Sequence, residues 1–344
     1  MKGCGRPLAS GAWLVGRTLQ TTWKRSEFMT IYVEDWQAAY GAPYMVQPDD
    51  QGDEGAELVE DGPDLRCRTP ERPDPRFPIA FVDGVRRGEA ALYQQDAAAG
   101  VVARGVAGSH ACGAVVADSN QIMFTNERVQ RLVIWGSGTT GELPGVSGGW
   151  DWDTRSIAAT EPDAPLREIQ KRMRQAEGLL AESMCQQDYL VVVDGPLNYV
   201  RSRDLPVVGY VKTHHRALLD PEHHKLIPSL QPSQRTSLFR LQDDRYSCYL
   251  RLTPASGLSG PWAGIVRLEI PQSAGLAAAS QVADDVAATI PRYAGVPHRD
   301  PRAPQNLQPI GALETHLRHL LGNSGLAYRA AREAVAARLV LEGA

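Results

Sequence analysis

Residues 78–84 read Pro-Ile-Ala-Phe-Val-Asp-Gly, and residues 190–196 read Leu-Val-Val-Val-Asp-Gly-Pro. Each stretch is a short apolar run that ends in Asp-Gly, which is typical of a buried strand closed by a turn. A side chain at the end of such a strand lies where ligands bind in a parallel or mixed sheet. If the two strands are neighbours, Asp83 and Asp194 face each other, and both stay ionised only when a cation lies between them. The alternative is that each Asp-Gly pair only opens a turn.

The composition is that of an ordinary globular protein. The chain has 344 residues, of which 43% are hydrophobic and 22% charged, enough for one large or two ordinary domains. The net charge of −4 provides no global basic field, so nucleic acid would be bound by a local patch. No apolar run is long enough to cross a bilayer, and we expect no membrane association. The five cysteines are scattered and never spaced as Cys-x-x-Cys, which argues against a disulfide framework or a zinc knuckle and favours a cytoplasmic location.

Three parts of the chain differ in composition. Residues 1–28 are unlike the rest, and we expect either a disordered leader or upstream sequence translated from the wrong start, with Met29 as the natural one. Residues 29–78 are expected to form an N-terminal segment followed by an acidic, Pro-rich loop. Residues 79–344 are expected to form the main domain.

The sequence of the main domain predicts a mixed α/β fold. A β pattern extends from residue 79 to residue 118, and Gly-containing breaks divide it into short antiparallel strands. A further strand at 131–135 leads into the Gly-rich stretch 136–149, which lacks the Gly-Lys-Ser/Thr of a P-loop and is expected to be a flexible loop.

Later segments add more strands and helices. The predicted strands after the second Asp-Gly are residues 207–212, 237–241, 246–252 and 262–270, and the predicted C-terminal helices are residues 277–290, 313–321 and 326–341.

Residues 165–186 are predicted to form a helix with one apolar side. Ile169, Met173 and Leu180 recur at helical spacing on that side. Glu177 lies beside this stripe and is expected to lean towards the sheet, whereas Glu182 lies about 140° further round the helix and is the second choice for a ligand.

The order of these elements is that of a ribonuclease-H-like α/β fold with carboxylates at the strand ends and C-terminal helices. In such sites two divalent cations, held by shared carboxylates, activate a water molecule and stabilise the leaving oxygen of a phosphodiester. Because the ligands are hard oxygen atoms, we expect Mn²⁺ or Mg²⁺.

At these positions the sequence resembles the NurA nucleases, which work with the HerA translocase in processing DNA ends. The resemblance covers roughly residues 76–325 and rests on residues 81–84, 193–197, 209–212 and 267–271 and on the late helix that contains His316. Val85 stands where the family commonly has Ser, and Thr315 where it often has Ala.

The resemblance implies a metal-dependent DNA nuclease, an endonuclease or exonuclease, that acts in end resection and double-strand break repair. It implies that Asp83, Glu177, Asp194 and His316 bind two Mn²⁺ or Mg²⁺ ions. It also implies a homodimer with a HerA-like hexameric ATPase as partner. The alternatives are a catalytically weak or inactive scaffold of the same fold that docks a motor ATPase, and another ribonuclease-H-like nuclease.

Several basic residues have two possible roles. Lys212 either contacts the scissile phosphate as a point charge or pairs with a carboxylate at the sheet edge. Arg267 either contacts DNA or forms a salt bridge with Glu269, which points to the same side of its strand. The remaining candidates form either a local DNA-binding patch or a solvated loop, and they are Arg292, Arg299 and Arg302.

Overall fold

The computed structural model describes residues 30–33, 56–70, 78–96, 101–117, 121–201, 206–214, 217–242, 244–254, 260–296 and 303–343. The expected leader, residues 1–28, lies outside the described residues. None of the described helices combines the length and apolar character needed to cross a bilayer.

The described residues form strands and helices in the order that the sequence predicts for a mixed fold. The strands are β1 (Thr30–Val33), β2 (Glu57–Leu58), β3 (Cys67–Arg68), β4 (Ile79–Asp96), β5 (Val101–Ala117), β6 (Ile122–Trp135), β7 (Asp153–Ser156), β8 (Leu190–Asp194), β9 (Val207–Val211), β10 (Arg235–Thr236), β11 (Phe239–Arg240), β12 (Arg245–Arg251) and β13 (Ile265–Pro271). The helices are α1 (Ala164–Cys185), α2 (Pro221–His224), α3 (Leu276–Thr289), α4 (Gln308–Leu320) and α5 (Ser324–Gly343).

One large mixed sheet organises the chain. Its strands follow the order β2-β11-β12-β13-β9-β8-β4-β5-β6-β7, and β1 pairs with the second half of β4. Within the central run β6-β5-β4-β8-β9, only β5 is antiparallel to the other four strands. This order and these directions are those of the ribonuclease-H-like core, and the predicted fold class is confirmed.

Helices cover both faces of the sheet and define two apolar layers. On one face, α1 packs Ala181 and Met184 against Ala80, Val82 and neighbouring side chains of β4, β5 and β8. On the other face, α3 and α4 pack against the alternate residues of the same strands, among them Ile79, Phe81 and Val85. We call these the α1 face and the α4 face. Because side chains alternate along a strand, each residue of β4 belongs to one face only.

Strands β4 and β5 are longer than the sequence predicts. The expected breaks at glycines are wrong, because the two strands pair almost continuously from Ile79↔Ala117 to Asp96↔Val101 with one irregularity between Gly88 and Ala90. The glycines instead let other groups approach the sheet closely. A Cβ atom at residue 108 would lie 2.6 Å from Cδ1 of Ile169 and 2.7 Å from the carbonyl oxygen of Arg87.

Residues 56–70 of the N-terminal segment are fixed to the sheet by a buried ion-pair network. Arg235, with no exposed side-chain surface, donates to Oε2 of Glu60 at 2.8 Å and to Oδ1 of Asp284 on α3 at 2.6 Å. Burial by itself raises the pKa of Glu60, but hydrogen bonds from Arg235 and Ser280 outweigh it and lower the pKa to about 2. This network ties β2 and β3 to α3.

We predict that Gly108→Ala destabilises the protein, because the added methyl group meets a backbone oxygen and a buried side chain. The expected loss is about 1–3 kcal/mol of the free energy of unfolding, measured by urea denaturation. Gly260→Ala is the matched control, since no atom of the described residues lies within 4 Å of a Cβ atom there. Equal stability of the two variants would show that the close approach at residue 108 is not maintained in solution.

Candidate metal centre

Asp83 and Asp194 lie side by side where β8 ends against the longer β4. The two strands pair in parallel from Ile79↔Leu190 to Val82↔Val193, so the next residue of each strand is one of the two Asp residues. Glu314 projects from α4 onto the same place. One ligand oxygen from each of these three residues lies within 4.8 Å of the other two, an arrangement that can hold a metal ion.

The carboxylates of this cluster are incompletely hydrogen-bonded. Only 3% of the surface of Asp83 is exposed. Within the described part of the chain, Oδ2 of Asp83 and Oδ1 of Asp194 are buried and accept no hydrogen bond. Burial raises the pKa of Asp83 well above its ordinary value, and the charges of Asp194 and Glu177 raise it further. A divalent cation between the oxygens would remove both penalties.

Lys212, which follows β9 directly, already offsets part of this charge. Its Nζ donates to Oδ2 of Asp194 at 2.7 Å and to Oδ1 of Asn306 at 2.9 Å. Of the two roles expected for Lys212, the structure shows the pairing with a carboxylate. Asn306 did not emerge from the sequence, because no local pattern distinguishes it from an ordinary loop amide.

Glu177 approaches the sheet from the opposite side. Its side chain is buried and points to the sheet, as the phase of the helix predicts. However, it lies over Gly84, where a Cβ atom would collide with Oε1 of Glu177. Since Gly84 faces α1, Asp83 faces α4, although Glu177 is close enough for its charge to raise the pKa of Asp83. Glu177 does not belong to the group of ligand atoms within 4.8 Å of one another that Asp83, Asp194 and Glu314 form.

Arg174 connects Glu177 to the strand that carries Asp194. Its Nη1 donates to Oε2 of Glu177 at 2.8 Å and to the backbone oxygen of Asp194 at 2.7 Å. Glu177 thus positions the guanidinium group of Arg174, which binds the backbone at the end of β8 from the α1 face. Glu182, the second choice, accepts from the backbone N–H of Arg201 in the segment after β8 and is not part of the cluster with the two Asp residues.

His316 lies beside the cluster but is not a member of it. Its Nε2 is 3.1 Å from Oε1 of Glu127, and its ring stacks on Phe124 with centroids 4.3 Å apart. Two residues on a helix are separated by about 200°, so His316 and Glu314 point in different directions from α4. The expected role of His316 as a ligand stays a prediction.

Glu314 is the ligand candidate that the sequence analysis missed. It falls within the apolar stripe of α4 formed by Ile310, Leu313 and Leu317, all fully buried, and is itself only 6% exposed. An acidic residue within such a stripe is a signal that it meets a cation or a hydrogen-bond donor, since burying an unpaired carboxylate is costly. The sequence therefore carries a signal for Glu314, an acidic residue inside an apolar stripe, that is independent of His316.

The proposed DNA-binding arginines have different environments. Arg267 is 4% exposed and its Nη1 lies 2.9 Å from Oε1 of Glu269, which favours the salt bridge over a contact with DNA. Arg292 is exposed, and its guanidinium lies over the ring of Tyr293, 4.8 Å from the ring centroid. Arg299 and Arg302 lie outside the described residues.

The donor set fits a hard divalent cation. It consists of carboxylate oxygens on three rigid elements, with no His or Cys among them, which is the chemistry of Mg²⁺ or Mn²⁺ rather than of zinc. The unpaired, buried oxygens of Asp83 and Asp194 are the observation that supports this fit.

The fold and the carboxylate cluster together define an α/β protein with a candidate metal centre at the end of a parallel strand pair. Comparison of the sequence with models of known families finds no match, and no curated protein matches it. Among solved structures, the chain is similar to the crystal structure of the NurA nuclease from Sulfolobus solfataricus, with a TM-score of 0.42 and 10% sequence identity. The alignment covers 79% of this chain and 87% of that chain.

We predict that Asp83→Asn stabilises the protein in the presence of EDTA, and more so at high pH. The pKa of Asp83 in the folded state is raised above the ordinary value of 3.8. As the pH rises past 3.8, the carboxyl of Asp83 loses its proton in the unfolded chain before it does so in the folded protein. The free energy of unfolding therefore falls with increasing pH until the pH passes the raised pKa of Asp83 in the folded state. The variant, which has no proton to lose, should melt roughly 2–4 °C above the parent protein at pH 8, and this gain should shrink towards pH 4.

The matched control is Asp64→Asn, because the side chain of Asp64 is 71% exposed. It should leave the melting temperature unchanged at both pH values. A pH-independent effect of Asp83→Asn would show that the carboxyl of Asp83 titrates normally.

Proposed function

We propose that the protein is a divalent-metal-dependent nuclease whose centre consists of Asp83, Asp194 and Glu314. The observation that carries this proposal is the convergence of three carboxylates within 4.8 Å, two of which keep a buried oxygen that accepts no hydrogen bond from the described residues. A buried oxygen without a hydrogen bond costs free energy, and among the described residues two such oxygens belong to neighbouring carboxylates of this one cluster. Mn²⁺ or Mg²⁺ is the cofactor that this donor set favours.

A bound divalent ion would supply Lewis acidity towards a phosphodiester oxygen and would lower the pKa of a water molecule. The chain itself contributes the positioning. Lys212 orients the carboxylate of Asp194 through Oδ2, while Oδ1 is buried and accepts no hydrogen bond from the described residues. Arg174 holds the backbone of the same residue from behind the sheet. Both contacts restrict the ligand before any substrate binds.

Exposed cationic and aromatic groups near the centre fit a nucleic acid substrate. Arg318, on α4, has a side chain 61% exposed and donates to Oε2 of Glu314 at 3.1 Å. The guanidinium group of Arg292 lies over the ring of Tyr293. Tyr293 in turn packs edge-on against Phe81, which lies two residues before Asp83 and on the same face of the sheet. Phe124 is 40% exposed beside His316. Guanidinium groups bind phosphates, and exposed rings stack on bases.

The sequence resemblance to the NurA nucleases extends this proposal to DNA as the substrate and to end resection in double-strand break repair. It also extends it to a cytoplasmic homodimer that works with a HerA-like hexameric ATPase. These parts of the proposal rest on the motifs around Asp83, Asp194 and Lys212.

We predict that Glu314→Gln abolishes metal-dependent cleavage and Mn²⁺ binding, while Glu177→Gln keeps Mn²⁺ binding. Glu314 faces the two Asp residues, whereas Glu177 lies on the α1 face with Arg174. Cleavage of labelled single- and double-stranded DNA with Mn²⁺ should fall by about 100-fold or more for Glu314→Gln. Isothermal titration calorimetry should show a Kd for Mn²⁺ within about threefold of the parent value for Glu177→Gln.

Glu182→Gln serves as the control on the same helix as Glu177 and should match the parent protein in both assays. Cleavage that persists in EDTA would refute a metal-dependent nuclease. Full Mn²⁺ affinity in Glu314→Gln together with its loss in Glu177→Gln would move the centre to the α1 face. Mn²⁺ binding without cleavage of any nucleic acid would instead favour a scaffold that docks a motor ATPase.

A further inference from the structure

We propose that the ammonium group of Lys212 occupies the position of a second cation, so that the centre binds one divalent ion per chain and not two. This inference rests on the proposed metal centre and specifies its stoichiometry. It replaces the pair of ions that the sequence suggests with one ion and one fixed side-chain charge.

The two oxygens of Asp194 have different surroundings. Oδ2 accepts from Nζ of Lys212 at 2.7 Å, while Oδ1 is buried and accepts no hydrogen bond from the described residues. A carboxylate that bridges two metal ions with one oxygen on each ion needs both of its oxygens. Because Lys212 takes one oxygen, Asp194 retains a single position for a metal ion.

Lys212 is held too firmly to leave this position easily. Its Nζ also donates to Oδ1 of Asn306 at 2.9 Å, and Asn306 is only 1% exposed. Its backbone continues from β9, which pairs with β8 on one side and β13 on the other. The ammonium group is therefore anchored by two acceptors and by a central strand.

The charges of the cluster also favour one ion. The three carboxylates of Asp83, Asp194 and Glu314 carry three negative charges, and Lys212 contributes one positive charge. One divalent ion makes the sum zero, whereas two would leave an excess of two positive charges in a buried place. Arg318, beside Glu314, adds further positive charge and opposes a second ion.

The carboxylate that a second ion would need is directed elsewhere. Glu177 lies on the α1 face, and its Oε2 accepts from Nη1 of Arg174 at 2.8 Å. The side chain of Glu177 is only 1% exposed, so a movement to the α4 face would require β4 or α1 to shift. Among the described residues, the cluster on the α4 face thus consists of three carboxylates and one ammonium group.

The test measures free Mn²⁺ by electron paramagnetic resonance, with the full chain at fixed concentration. The bound Mn²⁺ is the difference between the total and the free ion. The parent protein should bind one equivalent. Lys212→Met should bind a second equivalent, because both oxygens of Asp194 are then accessible to metal. Lys212→Arg, which keeps a positive charge beside Asp194, should bind one. Lys225→Met is the control, since Lys225 also pairs with a carboxylate, Glu222 at 2.7 Å, but is 68% exposed; it too should bind one.

Two equivalents in the parent protein would overturn this inference while leaving the proposed function intact. One equivalent in both the parent and Lys212→Met would show that Lys212 does not hold the second position. If Lys212→Met fails to fold, Asn306→Ala replaces it, because this variant removes one of the two acceptors that hold the ammonium group. We expect weak binding of a second Mn²⁺ ion to Asn306→Ala. The absence of a second bound ion would count against the inference. No bound Mn²⁺ in the folded parent protein would refute the metal centre itself.

Discussion

Repulsion between Asp83 and Asp194 is the constraint on which the account of the site depends. Two carboxylates that meet in a buried place cannot both remain charged without a compensating cation. Lys212 supplies one positive charge to Asp194, yet the pKa of Asp83 stays well above its ordinary value because burial and the neighbouring carboxylates dominate. Such an arrangement is unfavourable for a purely structural cluster. It becomes favourable when a divalent ion binds, and this difference is the physical basis for a metal centre.

The site of the carboxylate cluster results from the unequal lengths of β4 and β8. Strand β8 has 5 residues and β4 has 18, so the pairing between them stops at Val82 and Val193 while β4 continues. Helix α4 covers the resulting gap and brings Glu314 to it. Gly113, directly opposite Asp83 on β5, lets Leu317 of α4 approach, since a Cβ atom there would lie 3.3 Å from Cδ2 of Leu317. Local strand geometry, helix docking and the position of the ligands therefore depend on one another.

The fold class and the two Asp residues were predictable because their signals are local: an apolar run followed by Asp-Gly, and helical periodicity in α1. The face was not. A right-handed crossover decides on which side of the sheet α1 lies, but no local pattern says whether Asp83 or Gly84 points to that side. Glu177 was therefore oriented correctly on its helix but assigned to a centre on the other face. The glycines of β4 and β5 suggested breaks because glycine weakens isolated strands, whereas here they accommodate side chains from the neighbouring helices.

Anomalous scattering from Mn²⁺ in crystals of the protein would locate the metal and decide whether it binds between Asp83 and Asp194. We expect a single peak on the α4 face, within coordination distance of Oδ2 of Asp83, Oδ1 of Asp194 and a carboxylate oxygen of Glu314, with Lys212 still bonded to Asp194. A peak on the α1 face beside Glu177, or no peak near Asp83 in crystals saturated with Mn²⁺, would contradict the account.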